Sequence, residues 1–297
     1  MKPSVLIIGC GDLGTTLGRE LVARGHSVTG VRRHADALAG TGIEPLALDL
    51  NALDHAGADA LPEADYVIYT VSADRFEESA YQSAYRDGLQ RVLAVLQQHA
   101  NPPRQVLFVS STSVYGQQDG EVINEQSPTS ASSFSGRLMR EAEQSLLDHP
   151  LPGTVVRFSG IYGPGRDRLI RQVAEGRVAA VTPEIYTNRI HRDDCTGILD
   201  FLIQRRERGE HIEPLYLCSD SEPATKHEVM AWLARQLRVE ATETLQTPLR
   251  RRTNKRCDNT RIVESGYRFR YPDFREGYTQ VLQVGGFLPE QSDEQTP

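Results

Sequence analysis

Apolar residues fall along this chain in two alternating patterns. Short runs, apolar almost throughout, occur at Val5–Ile8, Ser27–Val31, Pro45–Leu48, Tyr66–Val71, Val106–Val109 and Val155–Phe158. Their length and composition predict strands buried on both faces. Between them lie longer stretches with helical spacing. Leu13, Leu17, Leu21 and Val22 share one face of the first. Leu89, Val92, Leu93 and Leu96 do so in a second, stopped by Pro102-Pro103, and Leu138, Ala142, Leu146 and Leu147 form a third stripe. This alternation predicts an α/β fold with a doubly wound parallel sheet and right-handed crossovers.

The last third is more mixed. Ile185–Ile190 and Leu215–Cys218 read as strands, Asp194–Gln204 and Lys226–Leu237 as helices, and the tail from Gln291 is polar. We read residues 1–160 as the sheet-building part, completed by 191–213. Residues 161–190 and 214–297 then form a smaller, interleaved C-terminal lobe that is not cleanly separable.

With 297 residues, 39% of them hydrophobic and 25% charged, the chain can bury a sizeable core and lacks a disordered composition. No apolar run approaches the roughly 18–20 residues of a membrane span. The first apolar run is shorter than the about 7–15 residues of a secretory signal. The expectation is a cytoplasmic protein with no membrane partner. A net charge of −7, from 33 Lys and Arg against 40 Asp and Glu, argues against polyanion binding, so no nucleic-acid partner is expected. Cys10, Cys195, Cys218 and Cys257 form no Cys-x-x-Cys clamp. Free thiols and no metal site are expected.

Gly9-Cys10-Gly11-Asp12-Leu13-Gly14 fits G-x-G-x-x-G between the first strand and the first helix. Such glycines serve a tight turn, close approach of backbone to a pyrophosphate, and close helix–strand packing, and the helix N-terminus offers free N–H groups. The fold expected is therefore of the Rossmann type, with Gly9, Gly11, Asp12, Leu13 and Gly14 at a dinucleotide. An NAD site usually carries an acid at the end of the second strand. Here that strand ends in Arg32-Arg33, and two guanidinium groups suit a 2′-phosphate. NADP is expected in preference to NAD, with Asp49 near the adenine.

Four segments in order resemble the extended short-chain dehydrogenase/reductase superfamily, in its NAD-dependent epimerase/dehydratase branch. They are the glycine turn, Val109-Ser110-Ser111-Thr112-Ser113-Val114-Tyr115-Gly116, Val156-Arg157-Phe158-Ser159-Gly160-Ile161-Tyr162-Gly163-Pro164-Gly165, and Asn188-Arg189-Ile190-His191-Arg192-Asp193-Asp194. The resemblance implies a Ser or Thr that orients a substrate oxygen, a Tyr acting as acid or base, and a Lys four residues later. Ser111 matches the serine. Ser133 and Arg137 stand where the tyrosine and lysine belong, and no tyrosine occurs between Tyr115 and Tyr162. A serine hydroxyl is a poor proton donor, and an arginine does not titrate.

The candidate catalytic residues are thus Ser111, Ser133, Arg137 and Tyr115, with Arg137 also placed against the cofactor. Tyr162, His191, Arg252 and Arg256 are candidates for the substrate. The run Arg250–Arg256, rich in cations, suits a phosphate or carboxylate, and nucleotide sugars are the family's commonest such ligands. The expected function is an NAD(P)-binding oxidoreductase or epimerase acting on a polar, anionic small molecule. The alternative is a dinucleotide-binding regulatory or scaffold protein with little catalysis. The resemblance also implies a homodimer built on helices of the dinucleotide-binding half.

Overall fold

The computed structural model describes residues 2–53, 57–246 and 254–288. β1 (Ser4–Ile8) leads through the glycine turn into α1 (Asp12–Ala23), then β2 (Ser27–Arg32) and β3 (Glu44–Ala47). β4 (Tyr66–Tyr69) precedes a continuous helical stretch: α2 (Glu78–Tyr81), a π-helical turn at Gln82–Asp87, and α3 (Gly88–Leu96). Next come β5 (Gln105–Ser111), β6 (Glu121–Ile123), α4 (Phe134–Leu147) and β7 (Gly153–Phe158). The second lobe begins with β8 (Gly160–Tyr162), α5 (Arg168–Ala174), β9 (Arg177–Ala179), β10 (Tyr186–Thr187) and β11 (Arg189–His191). α6 (Arg192–Glu207) and β12 (Leu215–Cys218) return to the main sheet. β13 (Ala224–Thr225), α7 (Lys226–Leu237), β14 (Glu243–Leu245), β15 (Lys255–Cys257), α8 (Thr260–Glu264) and α9 (Phe274–Val284) complete the chain.

The main sheet has seven strands in the order β12-β7-β5-β4-β1-β2-β3, every adjacent pair parallel. The reversal of strand order between β1 and β4 creates the crevice where such sheets bind ligands. Successive residues of each strand feed opposite layers. Leu6, Ile8, Val67, Tyr69, Val106 and Phe108 pack in a core under α3 and α4. Val5, Ile7, Val28, Ile68, Leu107 and Val156 pack in the other, under α1 and α6. Burial on both faces explains why these strands read as unbroken apolar runs.

Two boundaries expected from the sequence need correction. Leu215–Cys218 had been allotted to the second lobe but forms the edge strand of the main sheet. Its outward backbone groups are covered by side chains: Glu125 Oε1 accepts from Leu217 N at 2.8 Å, and Arg261 Nη1 donates to Leu215 O at 2.9 Å. Covering an edge this way removes a template for pairing with other chains. Ile185–Ile190 divides into β10 and β11 at Asn188. β10 runs antiparallel to β13, and β11 runs parallel to β8. The Asn188 side chain meanwhile donates to Lys255 O and accepts from Cys257 N.

The lobes are joined by buried polar contacts. Asp194, in the first turn of α6, accepts hydrogen bonds from Tyr267 Oη (2.9 Å), Arg270 N (2.7 Å) and Tyr271 N (3.0 Å). The second lobe has its own core of Ile170, Val173, Val229, Met230, Leu233 and Phe274. Among the described residues no helix is long and apolar enough to cross a membrane. All four cysteines are buried and unpaired.

Candidate dinucleotide cleft and active site

The turn after β1 is shaped by its glycines. Gly9 has φ +83°, and a Cβ there would come within 2.6 Å of the Val71 backbone. A Cβ on Gly14 would lie 3.0 Å from Ile7 Cγ2, so its absence lets α1 lie close on β1. Gly11 caps α1 without a side chain, and a Cβ there would meet only Gly9 O, at 3.8 Å. The first-turn N–H groups of α1 therefore have no side-chain cap, and the space beside them is open. A pyrophosphate fits such a turn in charge and in shape.

The turn opens onto a cleft of about 380 Å³. Gly9 and Gly11 of the turn, Arg32, Arg33 and His34 from the end of β2, and Asp49 and Asn51 from the loop after β3 line it. Arg32 Nη1 donates to Cys10 O at 3.3 Å, while Arg33 pairs across the cleft with Asp74 at 2.8 Å. Asp49 Oδ1 accepts from Asn51 N at 3.0 Å, which fixes the loop after β3. Ala80, Ser83 and Ala84, spaced along one face of the α2–π segment, form the far wall. His34, Asn51 and Asp74 were not singled out from the sequence. His34 follows directly on the two arginines and was legible there, whereas Asp74 reaches the cleft only through the fold.

Asp12, the first residue of α1, faces the second lobe. Its Oδ2 accepts from Arg166 Nε (3.1 Å) and Nη2 (3.0 Å), and its Oδ1 accepts from Arg192 Nη1 (3.3 Å). Nothing local in the sequence indicates these partners, which lie 154 and 180 residues away.

Ser111 stands at the carboxyl end of β5, partly exposed, and its Oγ accepts from Ser113 N at 3.1 Å. Ser133 is the N-cap of α4: its Oγ accepts from Gly136 N at 3.2 Å and shares a hydrogen bond with Ser135 Oγ at 3.1 Å. A Cβ on Gly136 would lie 2.5 Å from Ser113 O, so the first turn of α4 rests directly on the Ser111–Ser113 segment. The fold thus brings Ser111 beside the helix that carries Ser133 and Arg137. Arg137 is exposed and paired with Glu78 and, at 4.0 Å, with Glu141.

Three further candidates occupy places other than those expected. Tyr115 is fully buried. Its Oη donates to Asn124 O (2.8 Å) and accepts from Arg157 Nη1 (2.7 Å), whose guanidinium carbon lies 4.9 Å from the ring centroid. Burial pushes its phenol up to about 12, against the pull of Arg157. Tyr115 is therefore an internal anchor rather than a catalytic acid. Tyr162 is also buried, with ring centroids 5.2 Å from His191 and 4.5 Å from Tyr278, and its Oη lies against Gly277. His191 caps α6 by accepting from Asp193 N at Nδ1 (3.2 Å), and its Nε2 faces Gln280 Oε1 at 3.2 Å. Burial lowers its pKa, against the pull of Asp193 and Asp194. Both residues pack between the lobes instead of facing a substrate.

Of the basic run, Arg252 lies outside the described residues. Arg256 is exposed, donates from Nε to Gly120 O at 2.9 Å, and lies 5.2 Å from the Tyr186 ring centroid. Lys255 is buried, and its ammonium donates to Tyr115 O at 2.9 Å.

A seven-stranded parallel sheet with this strand order, and a glycine turn opening onto a cleft with arginines at the end of β2, define a dinucleotide-binding protein of the Rossmann type. Residues 5–213 match the sequence model of the NAD dependent epimerase/dehydratase family, and the chain belongs to that family. It is 32% identical to protein YeeZ of Escherichia coli (strain K12) over 279 residues, covering 91% of this chain and 96% of YeeZ. A solved structure from Methylobacillus flagellatus, provisionally assigned as an NAD-dependent epimerase/dehydratase, is 37% identical. It superposes with a TM-score of 0.78 over 96% of this chain and 99% of its own. MoeE5, solved in complex with UDP-glucuronic acid and NAD, shares the fold at 23% identity, with a TM-score of 0.79 over 95% of this chain and 99% of its own.

Proposed function

We propose that this protein is an NADP-preferring oxidoreductase or epimerase of the epimerase/dehydratase family, acting on a polar, anionic substrate of the nucleotide-sugar class. The observation that carries the reading is the uncapped glycine turn opening onto a cleft whose far end holds Arg32, Arg33 and His34, with no acid at the end of β2. The turn would hold the pyrophosphate, and Arg32 with His34 the 2′-phosphate, through charge-assisted hydrogen bonds. The nicotinamide, when bound, supplies hydride exchange. Ser111 would orient the substrate oxygen, and Arg137 would contribute a fixed positive charge beside the ribose once it exchanges Glu78 for the cofactor. The nucleotide-sugar class draws on MoeE5's UDP-glucuronic acid and on the exposed guanidinium of Arg256.

Titration with NADPH and NADH tests the cofactor. NADPH is expected to bind at least about tenfold more tightly, and Arg32→Ala to remove about tenfold of NADPH affinity with little effect on NADH. A preference for NADH in the unaltered protein would reject the NADP assignment. Hydride turnover on a panel of sugar nucleotides and carbonyl compounds tests the reaction. Once a substrate is found, Ser111→Ala should lower turnover by at least about tenfold. Unchanged turnover would remove Ser111 from the mechanism.

A second reading, a dinucleotide-binding regulatory protein with little catalysis, is favoured by one observation. The two residues at the family's Tyr and Lys positions are already engaged, Ser133 as a helix cap and Arg137 with two carboxylates. Tight NADPH binding with no turnover across the panel would support it.

A further inference from the structure

Where the glycine turn meets the second lobe there is an ion cluster of four side chains: Asp12 of α1, Arg192 and Asp193 of α6, and Arg166 from the second lobe. Arg192 is well anchored. It is 18% exposed, its Nε and Nη2 donate to Asp193 Oδ1 at 3.3 and 3.2 Å, and its Nη1 lies 3.4 Å from Pro164 O as well as 3.3 Å from Asp12 Oδ1. Arg166 is held differently. It is 40% exposed and extends from the loop Gly163-Pro164-Gly165, and its side-chain donors converge on one oxygen, Asp12 Oδ2. Nε and Nη2 are the donor pair with which a planar guanidinium can grip two oxygens of a phosphate at once, and here both are spent on a single carboxylate oxygen.

The carboxylate it meets stands in the first turn of α1, beside the N–H groups that the glycine turn leaves uncapped. A negative charge there is favourable to the helix when the turn holds no other anion. It is unfavourable to a pyrophosphate at the same place, unless cations outweigh it. Asp12 keeps Arg192 as a partner even when Arg166 turns away.

We propose that Arg166 is a binding residue for the dinucleotide pyrophosphate, supplied by the second lobe, and that Asp12 holds it beside the turn until phosphate oxygens take over its N–H donors. The exchange trades one charge-assisted hydrogen-bonded pair for another, with no bond made or broken. It couples the two lobes to the presence of the dinucleotide. The proposal rests on the reading of the cleft as a dinucleotide site.

The test is equilibrium binding, followed by fluorescence or calorimetry, of NADPH and of adenosine 2′-phosphate, which lacks the pyrophosphate. Because its side chain is substantially exposed, R166A is expected to fold. It should bind NADPH about ten- to a hundredfold more weakly and adenosine 2′-phosphate as tightly as the unaltered protein. D12N replaces the charged partner of Arg166 with a neutral amide and removes a negative charge from the turn, and should bind NADPH at least as tightly as the unaltered protein. Unchanged NADPH affinity in R166A, or an equal loss of both ligands, would overturn the proposal. So would a D12N protein weakened like R166A, which would make the cluster a tether between lobes. Failure of the unaltered protein to bind NADPH would instead remove the dinucleotide reading itself, and this proposal with it.

Discussion

Glu143→Ala is expected to destabilise the protein by about 3–5 kcal/mol, the cost of leaving a buried charge without its partner. Glu143 and Arg157 have side chains only 3% and 6% exposed. They form a two-pronged pair, Nε to Oε1 at 2.8 Å and Nη2 to Oε2 at 2.6 Å, and Ser110 Oγ donates to the same Oε1 at 2.5 Å. The third prong of the guanidinium reaches Tyr115 Oη, which in turn donates to Asn124 O. Removing the carboxylate strands Arg157 between β5, β7 and α4, where burial disfavours the charged form and Glu143, with Tyr115, offsets it. Chemical denaturation measures the loss. The double variant Glu143→Leu, Arg157→Met should recover much of it, because the penalty comes from the orphaned charge. A loss below about 1 kcal/mol in Glu143→Ala would show that water reaches the guanidinium and that the network contributes little.

This network also explains why Tyr115 lies in the core although its segment suggests an active-site place. Its position in the segment after β5 was legible, because that segment is local and its residues are consecutive. The direction of its hydroxyl was not, because it is set by Arg157, 42 residues downstream. A clue was nevertheless present. Val155-Val156-Arg157-Phe158 puts one cation inside a strand otherwise apolar on both faces. Such a charge must find a buried anion, and Glu143 lies on the face of α4 that also carries Met139, Ala142 and Leu146. Reading the lone Arg157 and Glu143 as a pair would have placed Tyr115 in the core.

The same distinction between local and distant runs through the site. The glycine turn, the arginines at the end of β2 and Ser111 at the end of β5 follow from strand-to-helix order, so their places could be read directly. Ser133 caps α4 and Arg137 stands in its first turns, but their engagements depend on neighbours. Ser133 serves the helix it begins, and Arg137 meets Glu78 from the helix after β4. His191 was read beside Asp193 and Asp194 as a candidate for substrate, yet a histidine directly before a helix can itself be the cap. It is His191, not either aspartate, that caps α6. Asp194 instead turns inward to hold the backbone at Arg270 and Tyr271, a contact across 76 and 77 residues that no local pattern carries.

Asp220→Asn is expected to stabilise the protein at neutral and alkaline pH and to remove the fall in stability between about pH 4 and pH 8 that its carboxyl imposes. Asp220 follows β12 and is fully buried. Its backbone N donates to Arg189 O at 2.8 Å, but among the described residues neither carboxylate oxygen has a hydrogen-bond partner of good geometry. Arg189 directs Nη2 to Thr187 and leaves Nη1 unpaired, and Glu222 and Asp273 add negative charge nearby. Burial, only partly offset by Arg189, pushes the Asp220 carboxyl up to about 8. An unfolded aspartate titrates near about 3.9. Below that value both states are protonated and the group has no effect. Between the two values the unfolded chain releases its proton while the folded one keeps it, so stability falls as pH rises, by roughly 1.4 kcal/mol per pH unit at most. Above about pH 8 the folded carboxyl ionises too and the penalty is complete. Asparagine keeps the shape and cannot ionise. The variant should therefore match the unaltered protein below about pH 4, exceed it by roughly 1–2 kcal/mol at pH 5, and exceed it by several kcal/mol at pH 8, on the order of the full linkage. Guanidinium denaturation of both proteins at pH 5, 6, 7 and 8 measures the difference, in which every other titrating group cancels. A difference that stays constant across that range would show that Asp220 is ionised in the folded protein, with water or Arg189 supplying the partner that its oxygens lack.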